Sequence, residues 1–243
     1  MRSVRIICQL KKLERRLKNK LFFQVAKYSL LIIAFVQGLT LLLVFSLGLF
    51  KPLGTWLMLS RWVQEGYRPD YRPVAYDDMS MALKKATITA EDHRFLYHHG
   101  FDFKAMERAE RKNIRKKSSK RPIAGASTLS QQVAKNVFLW PGRSYVRKAL
   151  EMYFTVLIES YWSKRKILET YLNVAELGKG IYGSEAASRH YFKKSASKLN
   201  QREASALASI LPSPLKWSPL KPNERVRRRL AAIRKYQAFA RVP

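Results

Sequence analysis

The chain has one cysteine, Cys8, so no internal disulfide can staple the fold. That suits a cytosolic protein, or a bacterial exported domain held by its core alone. Histidines number four, and the lone cysteine lies far from His98 and His99, so the chain lacks the Cys/His set of a usual structural zinc site; a structural hydrogen bond is the expected role of His98. Acidic residues are scarce, 17 against 47 Lys and Arg, for a net charge of +30. A field of that size calls for an anionic partner: nucleic acid, an acidic membrane surface or a phosphorylated substrate. Convincing alternation of apolar and polar residues is absent, and so is any repeat of solenoid period. What remains is a mainly α chain.

One long apolar run stands out. Ser29 to Phe50 is 22 residues without a charge, enough to cross the hydrocarbon core as a helix. No small-residue cleavage site follows at Phe50-Lys51-Pro52, which argues against a removable signal peptide. The expected organisation is a basic tail over 1–28, a transmembrane helix over 29–50, a membrane-proximal linker over 51–77 and one domain over 78–243. The tail holds nine Lys/Arg and one acid, Glu14, so the positive-inside rule puts it in the cytoplasm. The 193 residues after the span then face outward, carrying 38 basic and 16 acidic residues close to anionic headgroups. This topology disfavours a genomic nucleic-acid partner, and the recognition motifs of such proteins are missing.

In the linker, Trp56, Trp62 and Tyr67 are rings suited to a membrane–water interface. Arg68-Pro69 and Arg72-Pro73 predict extended chain. Asp77 and Asp78 offer an N-cap for a helix over Met79–Phe95. Lys104 to Arg121 is crowded with cations, and the Ser118-Ser119 pair and like-charge repulsion predict mobility there. Helical patterns follow over Ser127–Val137, Tyr145–Trp162, Ser163–Glu176, Ala186–Phe192, Asn200–Leu211 and Glu224–Ala240, with Pro212, Pro214 and Pro219 breaking the chain before the last.

Two motif matches mislead. Gly178-Lys-Gly-Ile-Tyr-Gly183 fits G-x-G-x-x-G but follows a helical pattern instead of opening a βαβ unit. Ser195-Ala-Ser-Lys198 fits S-x-x-K without its K-T-G partner. The chemistry concentrates elsewhere. Glu91 shares a helical face with Phe95 at i+4, an arrangement that desolvates a carboxylate, raises its pKa and suits a general base. Asp92 points about 100° away, fit for capping or for pairing with Arg94 or His98. Thr128 and Gln131 have capping-box spacing, and a helix N-terminus there would receive phosphate. Lys135 stands about two turns inside, with Gln131 one turn behind on the same face. Arg143, Arg147, Lys148 and Glu151 form a second charged cluster, read either as helix ion pairs or as a clamp on an anionic leaving group.

Taken together, these stretches resemble a known family. Glu91-Asp92-x-x-Phe95-x-x-His98-x-Gly100-x-Asp102 is similar to the first motif of the peptidoglycan glycosyltransferases, family 51. Gly125-x-Ser127-Thr128-x-x-Gln131-Gln132-x-x-Lys135-Asn136 resembles the second, and Arg147-Lys148-x-x-Glu151 the third. Lys164-x-x-Ile167-Leu168-Glu169-x-Tyr171-Leu172-Asn173 is similar to the fourth, and Gly180-x-Tyr182-Gly183-x-x-Ala186-Ala187-x-x-Tyr191-Phe192 to the fifth. All five stand in family order across residues 91–192, and Leu211-Pro212-x-Pro214 is similar too.

The resemblance implies a lysozyme-like α-helical domain with a small mobile membrane-proximal jaw near the Lys104–Arg121 region. It implies an inverting glycosyl transfer that polymerises lipid II into β-1,4-linked glycan and releases undecaprenyl pyrophosphate. By the same resemblance Glu91 is the general base. Lys135, Arg143 and Arg147 neutralise the departing pyrophosphate, helped by the helix N-terminus near Ser127 and Thr128; Gln131 and Gln132 fix sugar hydroxyls or the cleft wall, and Asn136 and Lys148 join the substrate-binding set. Glu151 steadies the donor, directly or through a divalent cation (Mg or Mn). Expected partners are lipid II, the growing lipid-linked glycan and other proteins of cell-wall synthesis and division. The expected location is the bacterial inner membrane, with the catalytic domain periplasmic. A lytic glycosidase of the same fold would need no pyrophosphate clamp, and a non-catalytic scaffold would need none of these side chains.

Overall fold

The computed structural model describes the backbone of residues 2–115, 125–142 and 144–243, and side chains within them from residue 19 onward, Arg115 excepted. Arg143 and the cations Lys116, Lys117, Lys120 and Arg121 lie outside the described residues. The chain forms two compact units, Met1–Ser46 and Leu47–Pro243. The first is helix α1 (Arg2–Leu49) except for its last turn, and within it Asn19–Leu49 is long and apolar enough to cross a membrane.

In the second unit, α2 (Trp56–Glu65) occupies what reads in the sequence as linker. Thr55 caps it by accepting the Met58 N–H, and Gly66 ends it in the left-handed region. The Arg-Pro pairs leave the next stretch extended, as expected, and Val74 is clamped to Asn173 by two hydrogen bonds of 3.0 and 2.9 Å. Asp77 and Asp78 fall in a 3-10 turn, and Ser80 caps α3 (Met81–Glu91) instead. This helix stops four residues short of expectation because Asp92 leaves the helical region, at φ −158° and ψ 75°. Phe95 lies in a separate 3-10 turn, so the proposed i+4 face shared with Glu91 does not form.

Next come α4 (Phe103–Arg115), α5 (Leu129–Phe138), α6 (Tyr145–Tyr161) and α7 (Lys164–Val174), the last three within two residues of their sequence-based limits. α8 (Gly183–Phe192), α9 (Gln201–Ile210) and α10 (Glu224–Tyr236) complete the helices. Three strands escape sequence reading because they are only two or three residues long: β1 (Asp70–Tyr71), β2 (Glu176–Gly178) and β3 (Ile181–Tyr182). They form a sheet in the order β1-β3-β2, with β1 parallel to β3 (Asp70 opposite Ile181) and β2 antiparallel to it. The Gly178–Gly183 match is therefore a hairpin followed by α8, not a nucleotide loop. Gly183 is obligatory there: its φ is +80°, and a Cβ would sit 2.3 Å from the Asn173 carbonyl oxygen. Ser195, the other decoy, donates to Glu185 and caps a short 3-10 turn.

Packing divides the helices into two groups. α5 lies against α6 and α7, burying Leu129, Val133, Ala134, Ile158, Ile167 and Leu168. α3 lies against α9 and α10, where the small residues Ala204, Ser205, Ala208 and Ser209 let backbones approach closely. The end of α3 and one face of α5 meet along the seam, and the candidate site lies there.

Candidate active site

Glu91 is the last residue of α3, and its carboxylate is 12% exposed. Gln132 of α5 donates its amide N–H to Glu91 Oε2 at 2.9 Å. The Gln132 carbonyl in turn accepts the hydroxyl of Tyr171, a fully buried residue of α7, at 3.3 Å. Arg229 of α10 pairs with Glu91 Oε1 and also donates to the Ala90 carbonyl at 2.9 Å. Burial pushes the Glu91 pKa up, Asp92 adding to the push; Arg229, Gln132 and Lys135 pull the other way without cancelling it. Such a carboxylate is held in one place and has a raised affinity for a proton, which is what a general base needs.

One turn beyond Gln132, Lys135 and Asn136 line a second cleft of about 320 Å³ with Leu57, Trp140, Arg147 and Glu176. Lys135 Nζ has no direct ion pair or hydrogen bond among the described residues. Burial lowers its pKa, with Glu151 and Glu91 opposing and Arg147 and Lys148 reinforcing. Glu151, 3% exposed, accepts from Lys148 Nζ at 2.5 Å and lies 3.9 Å from Arg147 Nη1. Arg147 has a buried Nε without a hydrogen-bond partner among the described residues. Three cations thus gather around Glu151, while Glu176 across the cleft lies 3.4 Å from Arg61, and the Arg147 Nε is left over as a donor for an anion.

On the other side of Gln132 a cleft of about 470 Å³ exposes Glu91 beside Arg108, Lys112, Ser127 and Arg229. Glu91 therefore faces one cleft while the Lys135 cluster faces the other, with the α5 side chains between them.

The start of α5 corrects an expectation. Two of its first-turn N–H groups are already taken: Leu129 donates to Asp92 Oδ2 at 3.1 Å, and Gln131 donates to Thr128 Oγ1 at 3.2 Å. The anion at this helix N-terminus is the protein's own Asp92, itself held by His98 Nε2 at 3.0 Å. Thr128 gives its hydroxyl to the Gly100 carbonyl at 2.6 Å, and Gln131 accepts the Thr128 N–H at 3.0 Å. The capping box is real, and it takes the Thr128 hydroxyl and the Gln131 Oε1. Thr128 still borders the Glu91 cleft beside exposed Ser127, and Gln131 borders a neighbouring cleft of about 380 Å³ with Ser127 and Lys148.

Arg229 was missed by sequence reading, because it lies 138 residues from Glu91 and is one of several arginines in a basic helix. Tyr171 was legible only as a motif position. Among the described residues no three His, Cys, Asp or Glu side chains converge as a metal cage. The donor set around Glu151 is cationic, so the residues present do not fit a resident divalent ion.

Comparison with known proteins agrees with this geometry. A family model described as Transglycosylase matches residues 59–237, most of the second unit. The biosynthetic peptidoglycan transglycosylase of Caulobacter vibrioides is 53% identical over 179 residues, covering 74% of this chain and 76% of that protein. The protein of the same name from Pseudomonas aeruginosa is 46% identical over 223 residues, covering 89% of this chain and 92% of its own length. One from Rhodospirillum centenum is 45% identical over 211 residues, covering 86% and 90%. A family match over most of the chain, and a buried base set beside a cation cluster, lead to one conclusion: the chain belongs to the transglycosylase family.

Proposed function

We propose that this chain polymerises lipid II into β-1,4-linked glycan and releases undecaprenyl pyrophosphate. The observation that carries the reading is the pairing of one buried, high-affinity carboxylate, Glu91, with a separate cluster of under-used cations across α5. In the reaction the acceptor's 4-hydroxyl oxygen attacks the donor's anomeric carbon as Glu91 takes the hydroxyl proton. The bond from that carbon to the phosphate oxygen breaks, and the pyrophosphate leaves with the electron pair. Attack from the face opposite the leaving group inverts the configuration.

Lys135, Arg147 and Lys148 neutralise the leaving pyrophosphate, and Arg143 joins them by family resemblance. Preorganised cations act where charge develops, and they need no reorganisation at the moment of reaction. Glu151 holds Lys148 and Arg147 in place and keeps the cluster from repelling itself. Gln132 orients the base, Asn136 lines the donor cleft and Ser127 lines the acceptor cleft. Neutralisation by side chains takes the part that the resemblance gives to a divalent cation. The uncharged run Ser29–Phe50 anchors the chain, with the tail over 1–28 cytoplasmic and the domain outside the inner membrane, where lipid-linked donors and acceptors are concentrated.

The test is polymerisation of purified lipid II by the full chain, read as glycan bands on a gel. Glu91→Gln keeps the size and hydrogen-bonding shape of the side chain but removes the base, and polymer should disappear. Near-normal polymer from Glu91→Gln would refute the assignment, and soluble fragments released from purified sacculi by the unaltered chain would favour a hydrolase.

A further inference from the structure

The wall of the Lys135 cleft carries an acid that the proposed reaction does not use. Glu176, the first residue of β2, lines it with Lys135, Asn136 and Arg147. Three features hold this side chain in place. Ala175 ends α7 with its N–H on the Tyr171 carbonyl, and its own carbonyl accepts the Gly183 N–H at 2.9 Å. β2 pairs with β3, Glu176 standing opposite Tyr182. The hydroxyl of Tyr182, a residue packed with Met58 and Val174, donates to Glu176 Oε1 at 3.3 Å.

That long bond comes from a neutral group, where Glu151 has a lysine at 2.5 Å. Arg61 Nε lies 3.4 Å from Glu176 Oε1 without a hydrogen bond to it, and Arg61 Nη1 is committed to Glu65. Burial raises the Glu176 pKa, and Arg61, Tyr182 and Lys135 oppose the rise without cancelling it. The fold therefore compensates this carboxylate only in part, in a cleft whose other role is to attract an anion.

Such a cleft must also let its anion go. Cleavage of the bond from the anomeric carbon leaves the oxygen and its electron pair on the outer phosphate, so the product is more negative than the donor. Cations that bind the donor hold the product more strongly still, and slow release limits turnover in many enzymes. A carboxylate in the same cleft repels both anions, and the repulsion grows with the charge of each. Lys135, Arg147 and Lys148 outnumber Glu151 and Glu176, so the donor is still drawn in.

We propose that Glu176 governs release of the leaving pyrophosphate: its carboxylate opposes the cations of the Lys135 cleft and weakens their hold on the product more than on the donor. This rests on the proposed function, in which that cleft receives the pyrophosphate. Glu176 does not act on the reacting atoms; it sets the affinity of the cleft through its charge.

Glu176→Gln isolates that charge, because the amide oxygen can still accept from Tyr182 and Arg61 keeps Glu65. The full chain in detergent is titrated calorimetrically with inorganic pyrophosphate. The variant should bind it about fivefold tighter, the order of one charge at contact range screened by water. Lys135→Met should weaken the binding, which places the probe in the cleft. Asp77→Asn makes the same change of net charge at an exposed residue that lines neither cleft, and should leave the affinity as it was. In polymerisation, added undecaprenyl pyrophosphate should inhibit Glu176→Gln at about fivefold lower concentration, by the same charge effect, and KM should fall. A merely structural loss would lower kcat with inhibition unchanged. Equal or weaker pyrophosphate affinity in Glu176→Gln, an equal gain in Asp77→Asn, or binding indifferent to Lys135→Met would overturn the proposal. Tighter binding with unchanged product inhibition would remove the role in release. If the unaltered chain makes no glycan, the proposed function fails, and the pyrophosphate comparison still decides whether Glu176 opposes an anion in this cleft.

Discussion

Replacing Lys135 by methionine should move activity and stability in opposite directions. Lys135 Nζ has no direct partner among the described residues, and burial lowers its pKa despite Glu151 and Glu91 nearby, so the folded protein disfavours its charge. Methionine keeps the length and apolar contacts of the stem and removes that charge. Glu151 is not orphaned, since Lys148 remains at 2.5 Å and Arg147 at 3.9 Å. Exchanging a poorly compensated charge for an apolar group of similar volume is neutral to stabilising. For this half-buried side chain the gain is about 1 kcal/mol at most, at the low end of the range seen for buried ion pairs. In a domain of this size that is a rise of about 2–4 °C in the thermal midpoint. In the transition state the same lysine meets the charge of the departing pyrophosphate. Loss of one preorganised donor costs about 10²–10³ in kcat, or roughly 3–4 kcal/mol. The assay pairs thermal unfolding by circular dichroism with the initial rate of lipid II polymerisation. A fall of several degrees in the midpoint, with activity lost only in proportion to unfolded protein, would show that Lys135 is a structural residue.

Arg229→Gln should displace the pH profile. Arg229 holds the Glu91 pKa down against burial, so its removal raises that pKa further and leaves more of the base protonated at a given pH. The acid limb of kcat/KM should move to higher pH with activity recovered on the alkaline side; a uniform loss at every pH would mean that Arg229 acts by holding substrate or fold. Asp92→Ala removes the acceptor for the Leu129 N–H and the partner of His98 Nε2. It should cost about 2–4 kcal/mol of stability, a lost cap plus an unsatisfied buried donor, read by denaturant unfolding. An unchanged midpoint would reopen the α5 N-terminus as an anion site.

The helices legible in the sequence are those whose signals are local. Thr128 with Gln131, Ser163, Asn200 and Asn223 cap the helices they precede. α3 was overrun because its stop depends on Asp92 turning toward α5 and His98, contacts that no local pattern encodes. α2 was read as linker, since ten residues between proline-rich stretches carry little periodic signal. The exposure expected of Trp56 and Trp62 as interface rings is there all the same, on the outer side of α2. The raised pKa expected of Glu91 is there for a different physical reason: Phe95 leaves the helix, and the desolvation comes from burial along the seam beside α5, α7 and α10.

By itself the sequence determined the apolar span, the mainly α class, the order of the motifs and the identity of the acid and cation residues. These depend on composition, spacing and local hydrogen bonds. Tertiary structure alone decided what each of them is bonded to. It committed the Thr128 hydroxyl and the Asp92 carboxylate at the start of α5, left Lys135 without a direct partner among the described residues, and brought Arg229 to Glu91 across the seam. Whether a polar side chain is free to act depends on what already satisfies it, and those partners come from helices distant in the chain. The capped helix at Thr128 that first suggested an anion site thus proved to hold the protein's own carboxylate, with the cations for a foreign anion lying one to two turns farther along and on α6.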